Sequence, residues 1–259
     1  MSDLAPGPPA AHPLPAGPQP APEPFDYESI PAGYYDEVFR RRRGIQSKWH
    51  HLKFERIARE LEGCRRVLDV GCGPGTLAAN FAGDREWVGT DLSARQIAYA
   101  RRTYGHLGAR FYNASLADVR RQQPPFDAVT MVELIEHLDV PVVDELIGDA
   151  LQCLRPGGKL IVSTPNFGSA WPLVEAAVNR FGDLSYDSQH INRFDRGRLA
   201  ELLASHGLAR PRAEPYLALA PFAAALGWRF SDRVARLERG RIEARLGLLL
   251  IGSAVKPER

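Results

Sequence analysis

The sequence predicts an α/β fold, a mostly parallel sheet with helices on both faces, and three observations carry that expectation. First, Arg66-Val67-Leu68-Asp69-Val70 is an apolar, β-branched run that enters Gly71-Cys72-Gly73-Pro74-Gly75 and then a helical stretch opening at Thr76-Leu77. A strand feeding a glycine turn and a helix is the crevice side of an open α/β sheet, where a nucleotide-like ligand sits. Second, Trp87-Val88-Gly89-Thr90-Asp91 is another strand ending in an acid, twenty positions after Gly71 (91 − 71). At that spacing a carboxylate accepts both hydroxyls of a ribose. Third, strand-like and helical runs alternate down the chain, which implies parallel pairing through right-handed crossovers.

A dinucleotide site wants a glycine where Thr76 stands and uses the amides of the turn to hold a pyrophosphate. Pro74 removes one of those donors. A cofactor with an adenosine and no phosphates does not miss it, and S-adenosylmethionine is the common one. Val67 to Gly75, followed by Gly89-Thr90-Asp91-Leu92-Ser93, resembles motifs I and II of the class I S-adenosylmethionine-dependent methyltransferases. The resemblance implies a Rossmann-like, seven-stranded sheet of order 3-2-1-4-5-7-6 with the last strand antiparallel. It also implies cofactor contacts from Asp69, Gly71, Gly73, Gly75, Asp91, Leu92 and Val132.

The 259 residues allow one substantial α/β domain with additions, and a formal charge of +2 gives no global signature of a nucleic-acid partner. Cys64, Cys72 and Cys153 are too isolated for a disulfide framework or a metal cluster, which fits a reducing cytoplasm. The chain opens without a basic-then-apolar leader and has no stretch of the ~20 apolar residues that span a bilayer. Residues 1–24 are mostly Pro, Ala and Gly and are expected to be a disordered tail. Residues 25–45 form an arm anchored by aromatic side chains, either a lid over the cofactor or a segment packed outside. Residues 46–259 are the methyltransferase domain, with cap insertions at about 165–190 and 218–243.

Trp49, Leu52, Ile57 and Leu61 recur at near-helical spacing, so 46–62 is expected to be an amphipathic helix leading into the first strand. The resemblance to ubiquinone-type O-methyltransferases makes Lys53 a cofactor contact; the alternative is a surface lysine. Ser93-Ala94-Arg95-Gln96 reads as a capping box opening a helix to Tyr104. After a third strand at 109–112, Asn113 and Ser115 are the residues offered for adenine, where many class I enzymes use an aspartate. Phe126 to Val132 is the fourth strand, 154–159 a turn, and Leu160 to Thr164 the fifth. The last two strands fall at 208–217 and 246–255.

At the end of the fourth strand stands Glu133-Leu134-Ile135-Glu136-His137. On a helix or tight turn, positions i, i+3 and i+4 share a face. Two carboxylates and an imidazole suit Mg²⁺ or Mn²⁺; equally, such a pair positions cofactor without metal. The segment strengthens the resemblance to the ubiquinone-biosynthesis O-methyltransferases, which implies metal on Glu133, Glu136 and His137; if no metal binds, His137 or His190 is the expected base. The expected reaction is O-methylation of a small or lipid-like acceptor. Small-RNA 2′-O-methyltransferases share a similar trio plus a later histidine, but no basic stripe or RNA-binding module accompanies it here. A non-catalytic cofactor-binding regulator would need no trio. Finally, Phe230, Val234 and Leu237 interleave with Arg229, Arg233, Arg236 and Arg239. Residues 216–239 therefore read as a helix packed on its own domain or as a peripheral membrane contact.

Overall fold

The structure is a computed structural model that describes residues 30–181 and 190–258. The expected tail at 1–24, the first part of the arm and Tyr186 lie outside the described residues. Seven strands form one sheet of order β3-β2-β1-β4-β5-β7-β6: β1 Arg66–Val70, β2 Glu86–Thr90, β3 Arg110–Tyr112, β4 Phe126–Val132, β5 Leu154–Pro165, β6 Ala209–Tyr216 and β7 Leu249–Val255. β1 pairs parallel with β2 and β4, and β7 runs antiparallel between β5 and β6. The order and the antiparallel last strand match what the resemblance implied.

Alternation along the strands sorts the core into two layers, since successive side chains leave opposite faces. Val67, Ala128 and Ile161 pack with α2 (Gly44–Glu60), α3 (Thr76–Phe81) and α4 (Ala94–Tyr104). Leu68, Val129 and Leu160 pack on the other face with α5 (Leu116–Gln122), α6 (Val140–Cys153) and α8 (Arg196–Ser205). Among the described residues no helix is long and apolar enough to cross a membrane.

Two sequence expectations need correction. The Pro156-Gly157-Gly158 segment is a bulge inside β5 rather than a turn before it. Register jumps from Phe126↔Leu154 to Ala128↔Lys159, five residues against two, and Gly157 absorbs the detour at φ 72°. The capping box at α4 is half formed. Ser93 Oγ accepts from the Gln96 amide, but the Gln96 side chain accepts from Gly33 N at 3.1 Å instead of reaching back. Asp91 Oδ1 takes the Ser93 amide in its place. The reciprocal box forms at Ser115 and Asp118, opening α5.

Gln96 is thereby released to hold the arm. The described part of the arm carries α1 (Tyr34–Arg40), whose Asp36 is fully buried. Its carboxylate accepts from Thr76 Oγ1 at 3.0 Å, Tyr99 OH at 2.8 Å and Tyr104 OH at 2.5 Å. The arm is thus tied both to the glycine turn's helix and to α4. Asp36→Ala leaves three hydroxyls without that acceptor, each worth about 1 kcal/mol or more. The expected loss is about 3 kcal/mol, read as a lower midpoint in urea denaturation with an unchanged slope.

Candidate active site

The turn after β1 is built by backbone constraints that only glycine meets easily. Gly75 has φ 79°, and a Cβ there would lie 2.8 Å from the Phe111 ring. Gly73 (φ 50°) faces open space, and its amide donates to Asp91 Oδ2 at 2.8 Å. The end of β2 is therefore bonded directly to the turn after β1, and the Asp91 carboxylate stands at the mouth of the crevice. Beside it Leu92 is 83% exposed. Asn113 donates to the carbonyls of Asp91 and Leu92, which leaves its side-chain oxygen as the end that can accept. Ser115 is committed as the helix cap of α5.

Asp69, in β1, is buried and accepts from Thr130 Oγ1 at 2.7 Å. Burial pushes its pKa up to about 7, the Asp91 charge adds to the rise, and the Thr130 hydroxyl opposes it.

β4 ends at Val132, half-buried, and the chain then turns sharply: Glu133 has φ 50°, and its amide donates to Ser163 O at 2.8 Å. Left-handed backbone at a non-glycine residue costs of order 1 kcal/mol and clusters at functional sites. This kink carries Glu133 off the short 3₁₀ turn Ile135–His137 that follows. The i, i+3, i+4 spacing assumed one continuous helical turn, and the left-handed backbone at Glu133 interrupts it. Glu133 pairs with Lys53 Nζ of α2 at 2.5 Å, and Lys53 is buried.

The residues that come together are Glu136, His137 and His190, one ligand atom from each lying within 4.8 Å of the others. His190 is brought in because its loop is bolted to the 3₁₀ turn: Asn192 N donates to Glu136 O at 3.0 Å, and its side-chain amide donates to Leu138 O. The His137 and His190 rings are 5.0 Å apart. Glu136 is fully buried, and among the described residues neither carboxylate oxygen has a hydrogen-bond partner. Its pKa is held well above the usual range by burial first and by the Glu133 charge second, against the Lys53 charge. A buried carboxylate without partners calls for a proton or a cation. These three residues therefore fit a divalent metal in donor chemistry.

One residue absent from the sequence reading completes the group. Glu175, on α7 (Trp171–Phe181), meets His190 Nδ1 at 2.5 Å and so sets which ring nitrogen points elsewhere. Nothing in the local sequence marks Glu175, since its partner lies 15 positions on, across the segment 182–189. Trp171 stands 6.2 Å from His190 and 5.6 Å from Trp49 of α2, making one wall of the crevice aromatic.

Comparison with known proteins agrees with this fold. A family model described as a methyltransferase domain matches residues 40–210. A protein of Mycolicibacterium smegmatis, described as a probable S-adenosylmethionine-dependent methyltransferase, is 30% identical over 161 residues, 61% of this chain and 57% of that one. A ubiquinone biosynthesis O-methyltransferase of Aromatoleum aromaticum is 35% identical over 106 residues, 39% of this chain and 44% of that one. The chain thus spans about half the length of these curated relatives. An S-adenosylmethionine-dependent methyltransferase of Thermotoga maritima superposes with a TM-score of 0.61 at 16% identity, covering 89% of this chain and 97% of that one, a likeness of fold.

The raised Asp69 pKa has a stability consequence whose sign is fixed. Folding favours the protonated form, so the group's contribution is fully present below the unfolded value of 3.8 and is lost as pH rises through about 7. Asp69→Asn keeps an acceptor for Thr130 and removes the charge. The variant is expected to match wild type near pH 4 and to exceed it by about 4 kcal/mol above pH 7, measured by denaturation of the cofactor-free protein across pH.

Proposed function

The chain belongs to the methyltransferase-domain family, and from that premise we propose that it transfers the methyl group of S-adenosylmethionine to an oxygen of a small or lipid-like acceptor. The observation that carries this reading is the Asp91 carboxylate, held by Gly73 N at 2.8 Å and Ser93 N at 2.8 Å beside a turn whose Pro74 cannot donate to a phosphate. Asp91 receives the ribose hydroxyls, Leu92 covers the adenine, and Asn113 Oδ1 accepts its amino group. Gly71, Gly73 and Gly75 keep the turn low beneath the methionine portion, with Asp69 and Val132 at its sides.

The methyl group then lies toward the end of β4, where the acceptor oxygen attacks the methyl carbon in line with the sulfur. A C–O bond forms, the S–CH₃ bond breaks, and S-adenosylhomocysteine leaves. Alignment of this kind can supply several kcal/mol of the barrier. With no metal bound, the acceptor's hydroxyl proton passes to His190 or His137. Glu175 on Nδ1 makes Nε2 the nitrogen of His190 that exchanges it. Glu136, His137 and His190 would hold Mg²⁺ or Mn²⁺, which when bound lowers the pKa of a hydroxyl in contact with it. Glu133 supports the site differently, by neutralising the buried Lys53.

Oxygen is favoured over nitrogen by the relatives named ubiquinone biosynthesis O-methyltransferase. A reducing, cytoplasmic setting is part of the same reading, since Cys64, Cys72 and Cys153 are buried free thiols.

Asp91→Ala is expected to weaken S-adenosylmethionine binding about 100-fold, the worth of two charge-assisted hydrogen bonds, in titration calorimetry; an unchanged affinity overturns the site. Glu136→Gln is expected to weaken Mn²⁺ binding by at least about tenfold while cofactor affinity holds. Equal Mn²⁺ affinity in the two proteins removes the metal and leaves the methyl transfer standing.

A further inference from the structure

Helix α10 (Trp228–Glu238) packs on the domain by one side and leaves another open. Ser231 and Glu238 are buried, and Val234 and Ala235 pack against the core. Both carboxylates of the helix have partners on the domain. Asp232 pairs with the buried Lys48 of α2 at 2.5 Å. Glu238 accepts from the amides of Ala218, Leu219 and Ala220 at 3.1, 2.8 and 3.0 Å. It thus caps α9 (Ala220–Ala223), a short helix that leads into α10.

Among the described residues of the helix, the exposed charges left without an ion-pair partner are therefore all cationic. Arg229, Arg233 and Arg236, at i, i+4 and i+7, share a face and are exposed. Among the described residues none of the three forms an ion pair. Next to that row Phe230 and Leu237, at i and i+7, are 45% and 78% exposed. The pattern continues past the helix, where Arg239, Arg241 and Arg245 are exposed together with Ile242 and Leu246. Upstream, Leu226 is 79% exposed.

We propose that this face seats the protein on an anionic lipid surface, with Phe230 and Leu237 entering the interface and the arginines meeting lipid phosphates. The mixture decides the class of partner. Cations alone suit a nucleic acid, but large apolar side chains in the same stripe gain only where hydrocarbon is at hand. Arginine fits because its stem lies along apolar surface while its fork takes a phosphate bidentately. The face is also connected to the active site. Phe222 of α9 touches Trp49 at 6.4 Å between ring centres, Trp49 touches Trp171, and Trp171 touches His190. This chain of rings links α9, the helix that leads into α10, to His190. The proposal goes beyond the methyl transfer and does not need it to be correct.

The test is co-sedimentation of the full chain with vesicles of phosphatidylcholine alone and of equal parts phosphatidylcholine and phosphatidylglycerol. The protein is expected to pellet with the mixed vesicles only, and to be released by raising salt to about 0.5 M. Phe230→Ser with Leu237→Ser, and separately Arg229→Gln with Arg233→Gln and Arg236→Gln, should each lower the partition coefficient about tenfold. Circular dichroism and S-adenosylmethionine affinity should match wild type. Because cofactor binding is read on the same samples, loss of vesicle binding and loss of the methyltransferase site are distinguishable. Wild-type protein left in the supernatant with both vesicles overturns the proposal, as does equal partitioning of the Phe230/Leu237 variant. Tighter binding to an RNA oligonucleotide than to vesicles, lost only in the arginine variant, also overturns it and makes the face a nucleic-acid surface.

Discussion

The hydrogen bond from Gly73 N to Asp91 is the contact on which the other parts of the site depend. It joins the turn after β1 to the end of β2, and so converts two neighbouring parallel strands into one crevice with a carboxylate at its mouth. The contact needs Gly73 at φ 50°, and the crossover between the strands needs the small Gly75 beneath Phe111. Asp91 then serves twice, ordering the turn with one oxygen and starting α4 through Ser93 with the other. Gln96, relieved of reaching back, holds the arm. A single buried acid on that arm, Asp36, closes the loop by bonding to α3 and α4 together.

The acidic end of β4 illustrates how charge is divided in a confined space. Two carboxylates three positions apart, both near a buried site, repel each other, and the fold resolves this by giving them different counterparts. Glu133 takes Lys53, while Glu136 is left among His137 and His190 with its pKa raised by burial. The same division leaves Glu136 as the group whose charge must be met by a proton or by a cation, and Glu175 as the residue that orients the second imidazole.

Buried and exposed faces of α10 follow the same logic of accounting for every charge. Its two acids are taken by Lys48 and by the amides that open α9, so among the described residues Arg229, Arg233 and Arg236 have no ion-pair partner. Lys48 also lies over the Trp228 ring at 4.4 Å, which fixes the first turn of the helix against α2. Helix α2 thus reaches Glu133 through Lys53, Trp171 through Trp49 and the outer helix through Lys48, three contacts from one periodic segment.

The strand, turn and helix elements were legible in the sequence because their causes are local: apolar β-branched runs, glycines at positive φ, a proline without a donor, and an acid at the spacing set by one crossover. From these came the sheet order through the resemblance, and Asp91 as a candidate residue beside the glycine turn. Where local reasoning extended a pattern it overreached, at the Gly157 bulge, at the Gln96 half-box and at Glu133, because each depends on a partner strand or helix that no spacing reveals. Only the tertiary structure could join Glu136 to His190 and His190 to Glu175, or pair Lys53 with Glu133. Those contacts bridge residues far apart in the chain, and a side chain's partner is decided by which elements pack together, not by which residues stand beside it.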